Sequence, residues 1–446
     1  MNDTQNLLSV IRLKKHFPVK GSPFKKKRVA LRAVDDVSLQ IRRGETYALV
    51  GESGCGKSTL GRLILGLLSP SGGAVIYHGA TIEKTLPKYL FAALKNPEKA
   101  KKRYEKIKDI SAETYADICI FGGFLAMDNG LFLTAARCLR ERFFALKKGD
   151  SAAAERAQLA LQELRKKAET DERFITLEQK RENGVDLCKL TEKEWRTLRS
   201  DLQIVFQDPY SSLNPRKTVG QIVAEGAYTH GYFKRKDKAL THYVLDLMQS
   251  CGLQPFTVQR YPHEFSGGQR QRVCIARALS VRPKFIVCDE CVSALDVSVQ
   301  AQILNLLSKL KKEKGLTYLF ISHDMSVVRH VADRVGVMYL GKIVETGKTE
   351  NVFKSPRHPY TIALLSAVPT TKSKKSEPIE WGAETPAPAK RGGCPFHTRC
   401  FMAQEICTKV VPPMKETEEG HFTACHFAEM PPKEKLEIAR EKVVKK

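Results

Sequence analysis

Apolar residues recur along this chain in two distinct rhythms. Val34-Asp35-Asp36-Val37-Ser38-Leu39-Gln40-Ile41 alternates apolar and polar positions, which predicts an antiparallel strand on a half-buried sheet. Tyr47-Ala48-Leu49-Val50, Phe285-Ile286-Val287-Cys288 and Thr317 to Ser322 are short apolar runs that read as strands. Val335 to Glu345, apolar and punctuated by glycine, reads as a closing hairpin. Helical spacing predicts helices over Leu60 to Leu65 and Ala301 to Lys312, and a helical region over 220 to 285. Between 82 and 184, Leu159, Leu161, Leu164 and their Ala, Glu, Arg and Lys neighbours suit charged amphipathic helices. After Pro369 the composition shifts to Thr, Lys, Ser, Glu, Pro and Ala through Lys390, which marks a linker.

Chemistry sits at the ends of the predicted strands. After Val50 comes Gly51-Glu52-Ser53-Gly54-Cys55-Gly56-Lys57-Ser58-Thr59, then the helical stretch. In a strand, glycine loop and helix in that order, glycines let successive amide N–H groups turn inward onto phosphate oxygens, and the helix start adds partial positive charge. Lys57 would bridge the outer phosphates and the Ser58 hydroxyl would ligate magnesium. The strand 285–288 runs into Asp289-Glu290, placing two carboxylates at a strand's carboxyl end. Asp289 suits the magnesium shell and Glu290 the polarisation of an attacking water. Ser266-Gly267-Gly268-Gln269 offers a hydroxyl and unobstructed amides before a helix through Gln271, Ile275 and Ala278, a second anion-binding helix start.

These segments, together with Val205-Phe206-Gln207-Asp208-Pro209-Tyr210, Ser293-Ala294-Leu295-Asp296 and Ile321-Ser322-His323-Asp324, resemble the ATPase subunits of ATP-binding cassette (ABC) transporters. Ser211 to Arg216 and Arg357-His358-Pro359-Tyr360-Thr361 point to the oligopeptide/dipeptide import branch. The resemblance covers residues 10–80 and 185–370 closely, and a cysteine-rich tail. It implies an α/β P-loop NTPase fold of ABC type, with a RecA-like core, an antiparallel β subdomain and a helical signature subdomain. It also implies ATP and Mg²⁺ as ligands, Gln207 as a further magnesium and water sensor, His323 as the contact to the terminal phosphate, and Phe17 as a ring stacked on adenine. The signature Ser266 to Gln269 would close over ATP held by a second, homologous ATPase subunit, the same or a different chain. Phe265 stands where leucine more often precedes the signature serine, a change in packing and not in phosphate donors. The expected partners are transmembrane permease subunits and, indirectly, a solute-binding protein, with the chain peripheral on the cytoplasmic face of the membrane. The alternative is an importer for another solute, such as a metal chelate.

Against the family pattern, about a hundred residues intervene between Gly79 and Val185-Asp186-Leu187. The expected organisation is a nucleotide-binding domain over 1–370 interrupted by a mostly helical insertion at 82–184, a linker at 371–392, a cysteine-rich segment at 393–430 and a basic tail at 431–446. The insertion carries no catalytic constellation and reads as a docking module or a passive elaboration.

With 446 residues and 42% apolar content the chain is no disordered protein. No secretory signal is legible, and the apolar stretch Ile118 to Ala136 is broken by Asp128, Asn129 and glycines, short of a membrane span. A net charge of +25 invites a rival reading, a soluble ABC ATPase acting on nucleic acid or ribosomes. The excess, however, lies in Lys25 to Arg28, Lys99 to Lys108 and Lys442, Lys445 and Lys446, without interleaved aromatics, so solvated faces or an anionic membrane suit it better and no nucleic acid is expected. Of the twelve cysteines, Cys55 lies inside the phosphate loop, where thiol reagents would block nucleotide binding. Cys394, Cys400, Cys407 and Cys425, spaced C-x5-C-x6-C-x17-C, are candidate ligands. The resemblance favours a [4Fe–4S] cluster, with zinc or free thiols as the alternatives. A cluster there would make a redox-responsive regulatory subunit a third reading.

Overall fold

The computed structural model describes residues 6–18, 30–107, 113–368 and 392–444. The basic run Lys25 to Arg28, nearly all of the expected linker, Lys108, Lys445 and Lys446 lie outside the described residues. The chain divides into two units, one made of residues 1–15, 36–42 and 63–199, the other of 16–35, 43–62 and 200–446.

The alternation over 34–41 does produce a strand with one wet face. β1 (Asn6–Pro18) and β2 (Ala30–Arg42) stand in one sheet, in which Val37, Leu39 and Ile41 of β2 are buried while Ser38, Gln40 and Arg42 are exposed. The first unit also carries the two remaining strands of this sheet and a run of helices between them, from Ile82–Thr85 to Glu172–Glu178. The longest two helices, Asn129–Lys148 and Ser151–Ala168, form a hairpin with a local cause. Gly149 at φ 79° ends the first in the left-handed region, and the Asp150 carboxylate accepts the Ala153 N–H to start the second. Buried phenylalanines fill their core, with Phe121 and Phe132 at 5.3 Å and Phe124 and Phe174 at 5.1 Å between ring centroids. Leu161 faces that core and Leu159 is exposed, as two residues of separation on a helix requires. Most apolar residues of the stretch Ile118 to Ala136 are thus core material, with Leu133 exposed, and no described helix is long and apolar enough to cross a membrane. The Lys99 to Lys108 run is not wholly a solvated face. Lys101 is buried, its ammonium donating to the Met127 and Leu125 carbonyls over the Phe132 ring.

In the second unit, β3 (Thr46–Val50) leads into α1 (Lys57–Ile64). The strands β4 (Gly72–Tyr77) and β5 (Val185–Asp186) belong to the first sheet, whose order is β2-β1-β4-β5, with β4 antiparallel to both neighbours. The chain then supplies β6 (Leu202–Val205), β7 (Phe285–Asp289), β8 (Thr317–Ile321), β9 (Arg334–Tyr339), β10 (Lys342–Lys348), β11 (Lys415–Glu418) and β12 (His421–Thr423). Among the described residues the second sheet has the order β11-β12-β10-β9-β3-β8-β7-β6. From β9 to β6 the pairings are parallel, and every residue of β3, β7 and β8 is buried, which is why those stretches are continuously apolar. Leu340 and Gly341, both at positive φ, make the tight turn of the predicted hairpin. The helices Val219–Thr229, Lys238–Ser250 and Gly267–Leu279 occupy the predicted helical region. The cysteine-rich segment adds β12 to the free side of β10, pairing Glu345 with Thr423 and Thr346 with Phe422. The expected basic tail is a helix, Pro432–Val444, and its Lys435 is buried, donating to the Arg357 carbonyl.

Candidate functional site

The glycine loop leaves the carboxyl end of β3 with a backbone only glycine can follow. Gly51 and Gly56 have φ of 148° and 107°, and a Cβ there would stand 2.2 Å from the Met338 carbonyl oxygen and 2.0 Å from that of Ala33. Ser53 and Gly54 are exposed, Glu52 is half-buried, and Cys55, Gly56 and Lys57 are buried. Leu60 N–H donates to the Gly56 carbonyl at 2.9 Å, winding α1, on which Ser58 and Thr59 sit half-buried. The loop closes on its own lysine: Lys57 Nζ donates to the carbonyls of Gly51 and Glu52, both at 2.8 Å.

Four neighbouring parallel strands bring their ends to one place. Ser58 Oγ donates to Asp289 Oδ1 at 2.6 Å. Burial is the main cause that holds the Asp289 carboxyl above the usual range; the Glu290 charge pushes the same way, and Ser58, Arg62 and Lys57 oppose it. Glu290 adopts φ 48° and its N–H donates to the Ile321 carbonyl at 3.0 Å, which turns its side chain away from the strand direction. Its Oε2 accepts from Gln207 Nε2 at 3.0 Å and lies 3.3 Å from His323 Nδ1. Glu290 is 13% exposed against 54% for His323. The loop after β3, Gln207 after β6, Asp289-Glu290 at the end of β7 and His323 after β8 thus all stand at carboxyl ends of one parallel sheet, where open α/β sheets hold ligands. Hydroxyl and carboxylate oxygens are the hard donors magnesium takes, and the Ser58 and Asp289 oxygens already converge, so these residues fit that ion.

At the second predicted anion site, Ser266 caps the helix Gly267–Leu279 in a reciprocal box. Ser266 Oγ accepts the Gln269 N–H at 3.3 Å and Gln269 Oε1 accepts the Ser266 N–H at 3.0 Å. Ser266 and Gly267 are exposed; Gly268 is buried, with Val299 2.4 Å from where a Cβ would go.

Comparison with known proteins decides what this assembly belongs to. The ABC transporter family model matches residues 34–177 and 172–293, and the oligopeptide/dipeptide transporter C-terminal region matches 344–407. The oligopeptide transport ATP-binding protein AppF of Bacillus subtilis is 38% identical over 429 residues, covering 95% of this chain and 98% of that protein. The chain belongs to the oligopeptide/dipeptide family of ABC transporter ATP-binding proteins. The dipeptide transport ATP-binding protein DppF of Escherichia coli is 37% identical over 426 residues, 94% of each chain, and OppF of Haemophilus influenzae 36% over 434 residues, 95% of this chain and 98% of its own. The activity of the ABC ATPase is therefore ATP hydrolysis.

Two expectations for this ABC ATPase need correction. The structure gives the [4Fe–4S] cluster no support: among the described residues no group of three or more His, Cys, Asp or Glu is arranged to hold a metal ion. Cys394, Cys400, Cys407 and Cys425 are mostly buried, and burial pushes the Cys394 thiol up to about 11 and that of Cys400 to about 12. Cys55 is likewise no exposed thiol. It is 4% exposed, and burial raises its pKa despite Lys57 beside it, so the expected reagent sensitivity loses its basis. Phe17 is half-buried near the end of β1. Two residues that the motif reading assigned no role touch the ABC ATPase's phosphate loop. The Glu52 N–H donates to Tyr360 Oη at 2.8 Å, and the Glu52 carboxylate accepts two bonds from Arg399. Tyr360 stood only as a marker of the branch and Arg399 was not singled out, and partners 308 and 347 positions away leave no local signal.

Proposed function

We propose that the chain is the MgATP-hydrolysing subunit of an importer for oligopeptides or dipeptides, working as one of two facing ATPase subunits beneath a transmembrane permease. The observation that carries this reading is the convergence of Ser58, Asp289, Glu290, Gln207 and His323 beside the glycine loop. Loop amides between Gly51 and Thr59, that of Glu52 excepted because it donates to Tyr360, cradle the phosphates, and Lys57 exchanges the Gly51 and Glu52 carbonyls for outer phosphate oxygens. Ser58 and Asp289, with Gln207 as a further candidate, would hold magnesium, which would supply charge neutralisation at the phosphates. Glu290 takes a proton from the attacking water, whose oxygen bonds to the terminal phosphorus while the bond to the ADP oxygen breaks and ADP leaves with that electron pair. His323 orients the terminal phosphate, and Ser266 to Gln269 of the facing subunit complete the site.

The peptide assignment leans on the relatives' names and on the matched C-terminal region. In this reading the chain is peripheral on the cytoplasmic face, a solute-binding protein delivers cargo, and residues 82–184 are an insertion in the nucleotide-binding domain. Purification from membranes, with partner identification and a peptide-uptake assay, tests the reading. Recovery of permease subunits and loss of uptake in K57A are expected. Normal peptide uptake in K57A cells, with no membrane protein recovered, would overturn it.

A further inference from the structure

The phosphate loop is gripped from outside by the C-terminal segment. Arg399 Nη1 and Nη2 donate to Glu52 Oε2 and Oε1, both at 2.8 Å, a fork-to-fork pair. The Arg399 side chain is 7% exposed and that of Glu52 20%. Arg399 is set by packing: its guanidinium lies 5.9 Å from the Tyr339 ring centroid, and Tyr339, Tyr360 and Phe396 form a cluster with centroids 4.8 to 5.4 Å apart. Tyr360 in turn takes the Glu52 N–H, and the Glu52 carbonyl takes Lys57 Nζ. Glu52 is therefore held at its carboxylate, its amide and its carbonyl.

A carboxylate in a loop shaped for a polyanion is an electrostatic liability. Left alone it would repel phosphate oxygens; paired with a guanidinium, its field is largely cancelled at short range. We infer that Arg399 is a positioning residue for nucleotide binding: by neutralising and pinning Glu52 it sets the affinity of the loop for MgATP, so that the C-terminal segment acts as a latch on the site. The inference rests on the reading of this loop as the MgATP site.

The test is equilibrium binding of a non-hydrolysable ATP analogue with Mg²⁺ to the full chain, with folding followed by thermal unfolding. R399Q leaves a desolvated carboxylate without its partner and is expected to weaken binding about tenfold or more. Adding E52Q removes that charge, so E52Q/R399Q should return to within about threefold of the wild type. R399K keeps the charge but loses the fork that pins Glu52, so its binding should fall between the wild type and R399Q, by less than about tenfold. Unchanged affinity in R399Q, or a double variant as weak as R399Q, overturns the inference. Should R399Q not fold, R399K decides: tenfold weaker binding by a folded R399K overturns the charge argument. Wild-type protein that does not bind the analogue, or K57A that binds it equally well, refutes the loop reading itself.

Discussion

Glu290→Gln tests the proposed chemistry most directly. The amide is nearly isosteric, its oxygen can still accept from Gln207 Nε2 at 3.0 Å, and the φ of 48° imposes on Gln what it imposes on Glu. Only the proton-accepting charge and the attraction to His323 at 3.3 Å are removed. A positioned general base contributes about 10²- to 10⁴-fold. At about 1.4 kcal/mol per decade, that raises the barrier by about 3 to 5 kcal/mol. Binding should move the other way. The Glu290 charge helps to hold the Asp289 carboxyl up, so its removal makes the Asp289 carboxylate easier to form and keeps affinity for the magnesium nucleotide at or above the wild-type level. Steady-state phosphate release and MgATP binding, measured side by side, separate the two effects. Turnover within about threefold of the wild type would refute the assigned base. Lost binding would refute the separation of roles between Asp289 and Glu290.

Two further outcomes follow from the geometry. Gly56→Ala puts a Cβ 2.0 Å from the Ala33 carbonyl at φ 107°, so nucleotide binding should fall more than about tenfold; Gly54→Ala, at φ 78° with open space around it, carries only the backbone strain of about 1 to 3 kcal/mol and should bind better than Gly56→Ala in the same assay. Buried His358 accepts the Tyr360 N–H on Nδ1, and burial pushes its pKa down to about 3, with the Lys435 charge adding to the effect. An unfolded histidine takes its proton near pH 6.5, so between about 6.5 and 3 the unfolded state holds more protons and stability falls as pH falls, by about 1.4 kcal/mol per unit from this group. Denaturant unfolding across that range should show a shallower fall for His358→Asn, which can still cap the helix Pro359–Ser366.

Legibility in the sequence followed the range of each interaction. The strand ends carrying Lys57, Asp289, Glu290 and His323 were readable because a continuously apolar run followed by a polar turn is a local pattern, and parallel strands deliver such turns to one edge. The reciprocal cap of Ser266 and Gln269 is also local, four residues in all, although the motif alone did not say that Gln269 serves its own helix start. The stretch 82–184 was readable as helical by composition, but buried Lys101 within it was not, since nothing nearby in the chain foretells the Met127 and Leu125 carbonyls that receive its ammonium. Arg399 and Tyr360 escaped for the same reason at longer range. The cysteine spacing left the ligand open because spacing constrains neither burial nor ligand geometry, and among the described residues the geometry gives a cluster no support.

The hairpin that β12 and β11 append to β10 covers what would otherwise be an open sheet edge. Without it, β10 would present a bare row of amides and carbonyls, an open template for any extended peptide. The last strand, β11, ends that row with Lys415, Glu416 and Glu418, a short, charged border that discourages further stacking. Chains cut ahead of residue 392 would therefore be expected to clump even where their catalytic loop is whole.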